Sequence, residues 1–71
     1  MTGAGVTRAG LDRSDVELLR LVADGLPLDA VARLLRTSER TVRRLLKTIR
    51  DRIGVDSSSQ AIVWAVRRGL V

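Results

Sequence analysis

The sequence contains no cysteine and no histidine. The first absence excludes disulfide staples, and the two together exclude the thiolate and imidazole ligand sets of structural metal sites. They also remove the cysteine nucleophile and the histidine general base. Apolar runs are short. None approaches the roughly 20 residues of a membrane span, and the first residues lack the apolar stretch of a secretory signal. Repeats and low-complexity blocks are missing as well. A chain of 71 residues makes one small domain. Such a domain buries only about 60% of its unfolded surface, so it depends on a well-formed core and often on a partner.

What the sequence does have is positive charge. Thirteen Lys and Arg stand against eight Asp and Glu, for a net +5 and a pI near 11.5. A compact domain this basic suits an anionic partner, either nucleic acid or membrane phosphate. Twelve of the thirteen cations are arginine. Arginine suits bidentate phosphate and guanine contacts, but a GC-rich coding sequence gives the same bias, so position says more than type. Residues 33–52 hold Arg33, Arg36, Arg40, Arg43, Arg44, Lys47, Arg50 and Arg52, eight cations against only Glu39 and Asp51, a net +6. The rest of the chain carries five basic and six acidic side chains, a net −1. The charge excess is one localised feature, and it is read either as a solvated helix face or as a binding surface.

Patterning predicts four helices and no strand. Residues 1–10, with three glycines and no apolar period, are expected to form a flexible tail ahead of a single domain over residues 11–71. Ser14 and Glu17 have capping-box spacing for a first helix whose apolar face is Leu18, Leu19, Leu21 and Val22, ended by Asp24-Gly25. A short second helix is expected to carry Pro27 in its first turn and Leu28, Val31, Ala32 and Leu35 on one face. After a break at Arg36-Thr37, Ser38 caps a third helix that runs to about Ile53 and stops at Gly54. Its apolar residues Val42, Leu45, Leu46, Ile49 and Ile53 fall within roughly 100° of arc, with Arg40, Arg43, Arg44 and Lys47 opposite. Ser57 and Gln60 are spaced as a second capping box for a fourth helix. That helix has Ala61, Ile62, Ala65 and Val66 on one stripe and Val63 and Trp64 outside its centre. An apolar residue set on both sides of a helix in so small a domain marks an interface, although core packing accounts equally well for Trp64.

Two helices joined by a tight turn, the second basic on its outer side, form a helix-turn-helix, whose later helix lies in the DNA major groove. From Leu11 to Val71 the chain resembles the LuxR/GerE-type DNA-binding domain. The resemblance is carried by residues 17–26 (ELLRLVADGL), by Val31-Ala32 and Leu35, and by residues 38–44 (SERTVRR). It continues in Ile53-Gly54-Val55 with Ser57 and Ser59-Gln60-Ala61, and in Arg67-Arg68-Gly69-Leu70. There are departures. Arg36 stands where the family usually has glycine, Thr37 where it has an aliphatic residue, Leu45 where histidine is common, and Asp56 and Ser58 where basic residues are common.

The resemblance implies an all-α, four-helix regulator that inserts helix 38–53 into the major groove. It assigns base-edge contacts to Arg43, Arg44 and Lys47 and phosphate contacts to Arg40 and Arg50. Thr41 is either a phosphate contact or a first-turn structural residue. It places a homodimer contact on the C-terminal helix at Val63, Trp64 and Arg67, and hence a pseudo-palindromic site on double-stranded DNA. It implies a cytoplasmic protein of the bacterial nucleoid with no cofactor and no metal. No acid–base pair or phosphate-cradling glycine loop points to an enzyme. A helix-turn-helix module that binds a protein partner (RNA polymerase, a sigma factor or another regulator), with weak or no DNA binding, is the alternative. A membrane-surface role fits poorly, since the apolar side of the basic helix carries neither Trp nor Phe. The chain is expected to be either a stand-alone regulator, as its Met1 start favours, or part of a longer one.

Overall fold

A computed structural model of the chain describes residues 10–71. The tail expected over residues 1–10 lies, except for Gly10, outside the described residues. Four helices follow: α1 (Arg13–Ala23), α2 (Leu28–Leu34), α3 (Glu39–Ile53) and α4 (Ser58–Arg67). Among the described residues there is no strand, as expected for an all-α helix-turn-helix domain. No helix among them is long and apolar enough to cross a membrane. Helix α2 packs mainly on α3 and α1 mainly on α4, while α3 also meets α1 and α4.

The core is small and almost wholly aliphatic. Leu11, Leu18, Leu19, Val31, Ala32, Val42, Leu46, Ile49, Ala61 and Ala65 are buried, and among the described residues no polar side chain is buried with them. Each large aliphatic side chain removed from water contributes about 1.5–3 kcal/mol. Trp64 is half-buried and packs against the rim of this cluster, so its body serves the core.

The start of α1 differs from the Ser14–Glu17 reading. Asp12 is the N-cap. Its carboxylate accepts from the Asp15 amide at 2.9 Å, and the Asp15 carboxylate accepts from the Asp12 amide at 3.1 Å. Ser14 supports this box by donating its hydroxyl to Asp12 Oδ1 at 2.7 Å. The earlier start wins because it uses an ionised acceptor and places Leu11 and Val16 in the two hydrophobic-staple positions, both within the core cluster. At α2, Pro27 is the N-cap rather than a first-turn residue, and no side chain caps that helix. Ser38 and Ser57 cap α3 and α4 as expected, through Thr41 and Gln60 amides at 3.1 Å each. The second half of the α4 box is shifted: Gln60 Oε1 accepts from the Asp56 amide at 2.7 Å, one residue before the cap.

All four helices end through a left-handed residue. Gly25, Gly54 and Gly69 have φ of 88°, 77° and 69°. The fourth is Arg36, with φ 58°, where the Thr37 amide bonds Ala32 O at 2.9 Å and the Arg36 amide bonds Arg33 O at 3.1 Å in a Schellman closure. A side chain held in this region costs about 1 kcal/mol relative to glycine.

Two apolar expectations are corrected. Leu45 is 37% exposed, because it lies at the outermost edge of the α3 apolar arc, beside a groove of about 260 Å³ that Leu18, Leu35 and Thr37 also line. Val66 is 55% exposed. Ala61 and Ala65 alone form the buried seam of α4, so Val66 turns outward.

The Asp12 carboxyl is held below its ordinary value of 3.8, first by the Asp15 amide and then by the Ser14 hydroxyl. A depressed folded pKa gives stability that is present above the unfolded value and lost as pH falls through the folded one. Replacing Asp12 by Ala should therefore lower unfolding free energy by about 1 kcal/mol at pH 7, with a smaller deficit below pH 3.8. Ser14→Ala should cost less. Urea titrations across pH check both, and an equal loss at Ser14 would reject the Asp12 cap.

Candidate nucleic-acid interface

Helix α3 is oriented by its buried stripe. Val42, Leu46 and Ile49 are at most 4% exposed, which turns the other side outward. At about 100° per residue, Arg44 and Asp51 lie closest to the point opposite that stripe, with Arg40 and Lys47 alongside. Arg40, Arg43, Arg44 and Lys47 are all exposed. The outer face is therefore basic over its N-terminal half and mixed in charge at its C-terminal end.

The cations divide by partner. Arg43 pairs with Glu39 at 3.3 Å and Lys47 with Asp51 at 3.1 Å, both one helical turn apart. Arg33 pairs with Asp29 at 3.8 Å on α2. Exposed pairs of this kind contribute only about 0–1 kcal/mol, so they hold their cations lightly and can be exchanged for an external anion. Arg50 is half-buried and donates to Ser58 Oγ at 3.3 Å, which ties it to the start of α4. Arg52 reaches Asp15 at 3.1 Å, where the carboxylate is only 15% exposed. This contact joins the end of α3 to the cap of α1. Among the described residues, Arg36, Arg40 and Arg44 make no ion pair or side-chain hydrogen bond.

Thr41 is part of the α3 cap. Its amide donates to Ser38 Oγ, and its hydroxyl accepts from Ser38 at 3.0 Å. The hydroxyl proton of Thr41 stays available to an anion. Val42 is fully buried, as expected. On α4, Val63 is 50% exposed and, with Trp64 and Arg67, borders an open groove of about 400 Å³. The Arg68 guanidinium sits 4.2 Å from the Trp64 ring centroid and covers part of that ring. The motif reading did not include this contact, although the i, i+4 spacing of Trp64 and Arg68 signals it. The same spacing marks the Asp29–Arg33, Glu39–Arg43 and Lys47–Asp51 pairs.

The chain matches a family model described as a homeodomain-like domain over residues 16–57, from the first turn of α1 to the cap of α4. It is 34% identical over 61 residues to the transcriptional regulatory protein YdfI of Bacillus subtilis (strain 168), which covers 86% of this chain and 29% of that protein. The chain thus spans less than a third of this curated relative. No solved structure matches.

The bridge from Arg52 to the half-buried cap residue Asp15 should matter more than an exposed pair. Arg52→Ala should lose about 1 kcal/mol, and Arg33→Ala no more than about 0.5 kcal/mol. Urea unfolding of the two variants compares them, and equal losses would show that the long-range bridge contributes nothing special.

Proposed function

The chain belongs to the homeodomain-like domain family, and from this we propose that it is a DNA-binding transcription regulator of the LuxR/GerE type. The single observation that carries the reading is the outward face of α3. Among the described residues, Arg40 and Arg44 stand without partners on a helix whose opposite side is locked in the core. Family membership and the name of the Bacillus subtilis relative, a transcriptional regulatory protein, support the DNA-binding regulator reading, and the five segments that resemble the LuxR/GerE domain support its type.

In this reading α3 enters the major groove of double-stranded DNA. Arg44, central and unpaired, forks onto guanine O6 and N7. Arg43 and Lys47 exchange Glu39 and Asp51 for base edges, at a cost within that of an exposed ion pair. Arg40 and Arg50 meet phosphates, and Thr41 can add its hydroxyl proton to one of them. Ser38 keeps the first turn of α3 rigid beneath these contacts. The protein acts by binding, not as an enzyme, and needs neither cofactor nor metal. It works in the cytoplasm, on the nucleoid.

Homodimerisation through α4 completes the reading. Val63, Trp64 and Arg67 form the contact, supported by the exposed apolar edge at Val63 and Val66. Two copies would present two α3 helices to successive major grooves of a pseudo-palindromic site. RNA polymerase or another regulator is a further partner in this setting.

The experiment is selection of bound duplexes from a random pool, followed by titration of the enriched site. Arg44→Ala should weaken binding by on the order of 1–3 kcal/mol and relax preference at one base pair. A uniform loss on every duplex would reject base reading by Arg44. No enrichment by the folded wild type would favour a protein-binding module. Val63→Asp should remove cooperativity between half-sites and spare the affinity for one half-site. Unchanged cooperativity would place the dimer contact elsewhere.

A further inference from the structure

We propose that Arg36, in the turn between α2 and α3, is a phosphate-binding residue that extends the DNA surface beyond the recognition helix. The proposal rests on the DNA-binding reading above. Three observations meet at this residue.

First, Arg36 is the non-glycine member of four equivalent helix ends. The other three use glycine for a left-handed φ, and Arg36 adopts φ 58° with a side chain attached. A strained backbone kept at a surface turn, under an exposed side chain, points to a use for that side chain. Second, its guanidinium is exposed and partnerless among the described residues. It makes no salt bridge with Asp29 or Glu39, the acidic residues nearest in sequence, which are taken by Arg33 and Arg43. Third, it adds to the unpaired cations just ahead of the recognition helix. Arg36, Arg40 and Arg44 are spaced four apart, and they are the members of the 33–52 cluster without a partner. Arg40 and Arg44 lie one helical turn apart on α3, and Arg36 stands two residues before the Ser38 cap. The free positive charge thus runs off the end of α3 into the turn, where a helix seated in a groove faces the sugar–phosphate wall. A guanidinium there meets phosphate oxygens and carries no sequence information.

The glycine replacement separates this role from a structural one, because the two predict opposite signs. Thermal melts and fluorescence anisotropy with a labelled duplex, from 50 to 200 mM salt, would be run on wild type, Arg36→Gly, Arg36→Lys and Arg40→Ala. Arg36→Gly should raise the melting midpoint by roughly 2–6 °C through relief of the turn. It should also weaken binding and flatten the plot of log affinity against log salt by about one unit. Its deficit at 50 mM should therefore shrink about 3- to 4-fold by 200 mM. Arg36→Lys should keep the wild-type slope. An Arg36→Gly slope equal to wild type, beside a flattened Arg40→Ala slope, would overturn the role of Arg36 and leave the DNA reading intact. A lower melting midpoint for Arg36→Gly would show that the side chain serves the fold, and would overturn the proposal as well. A wild type that binds no duplex at any salt, or that binds an acidic protein instead, would overturn both.

Discussion

The burial of Val42, Leu46 and Ile49 beneath α3 is the constraint on which the rest of the structure depends. A helix offers a continuous ring of side chains, and only the fixing of one stripe decides what the others face. Here the stripe is pressed against α2 from one side and against α1 and α4 from others. Once it is buried, the rotation of α3 about its own axis has no freedom left. Arg40, Arg44 and Lys47 must then point to solvent, whatever they bind. The charge on this protein is positioned chiefly by aliphatic packing, with the Arg52–Asp15 bridge as a lesser tie at the end of α3.

Much of this was legible in the sequence, because the 3.6-residue period of α3 is strong and its cap, Ser38, is unambiguous. The buried Val42 and the exposed arginines follow from that period, and the other three helices from their own caps and apolar spacing. What the sequence left open was decided by competition between neighbours. Ser14 with Glu17 and Asp12 with Asp15 have the same spacing, and the choice fell to the pair whose preceding residue, Leu11, could be buried. Leu45 and Val66 are apolar, yet each sits at the margin of an arc, and a core of ten small and medium side chains closes before reaching them. Periodicity gives the direction of a face but not its width. The width is set by how much volume the other helices bring.

The charged surface shows a similar division. Counting charges located the basic window, but pairing decides which cations are free. Three of its members are occupied by carboxylates one turn away, Arg52 is tied to the cap of α1, and Arg50 leans on the start of α4. The remaining free charge is narrower than the net +6 suggests. It comes down to three guanidiniums, and the first of them in sequence occupies a turn where a side chain is costly. Helix α4 shows the reverse arrangement. A seam of alanines lets it lie close to its neighbours, and Val63 and Val66 are left outside.

Helix α2 is the least self-sufficient part of this fold. It has seven residues, a proline at its cap position and no side chain closing its first turn. Peptide helices of that length are marginal in water, so α2 has no independent existence once α3 leaves it. Loss of α3 therefore takes α2 with it, and the amides of α2 exchange with solvent at least as often as the pair comes apart. Anything that grips α3 from outside slows that opening, and so stiffens a helix it never touches.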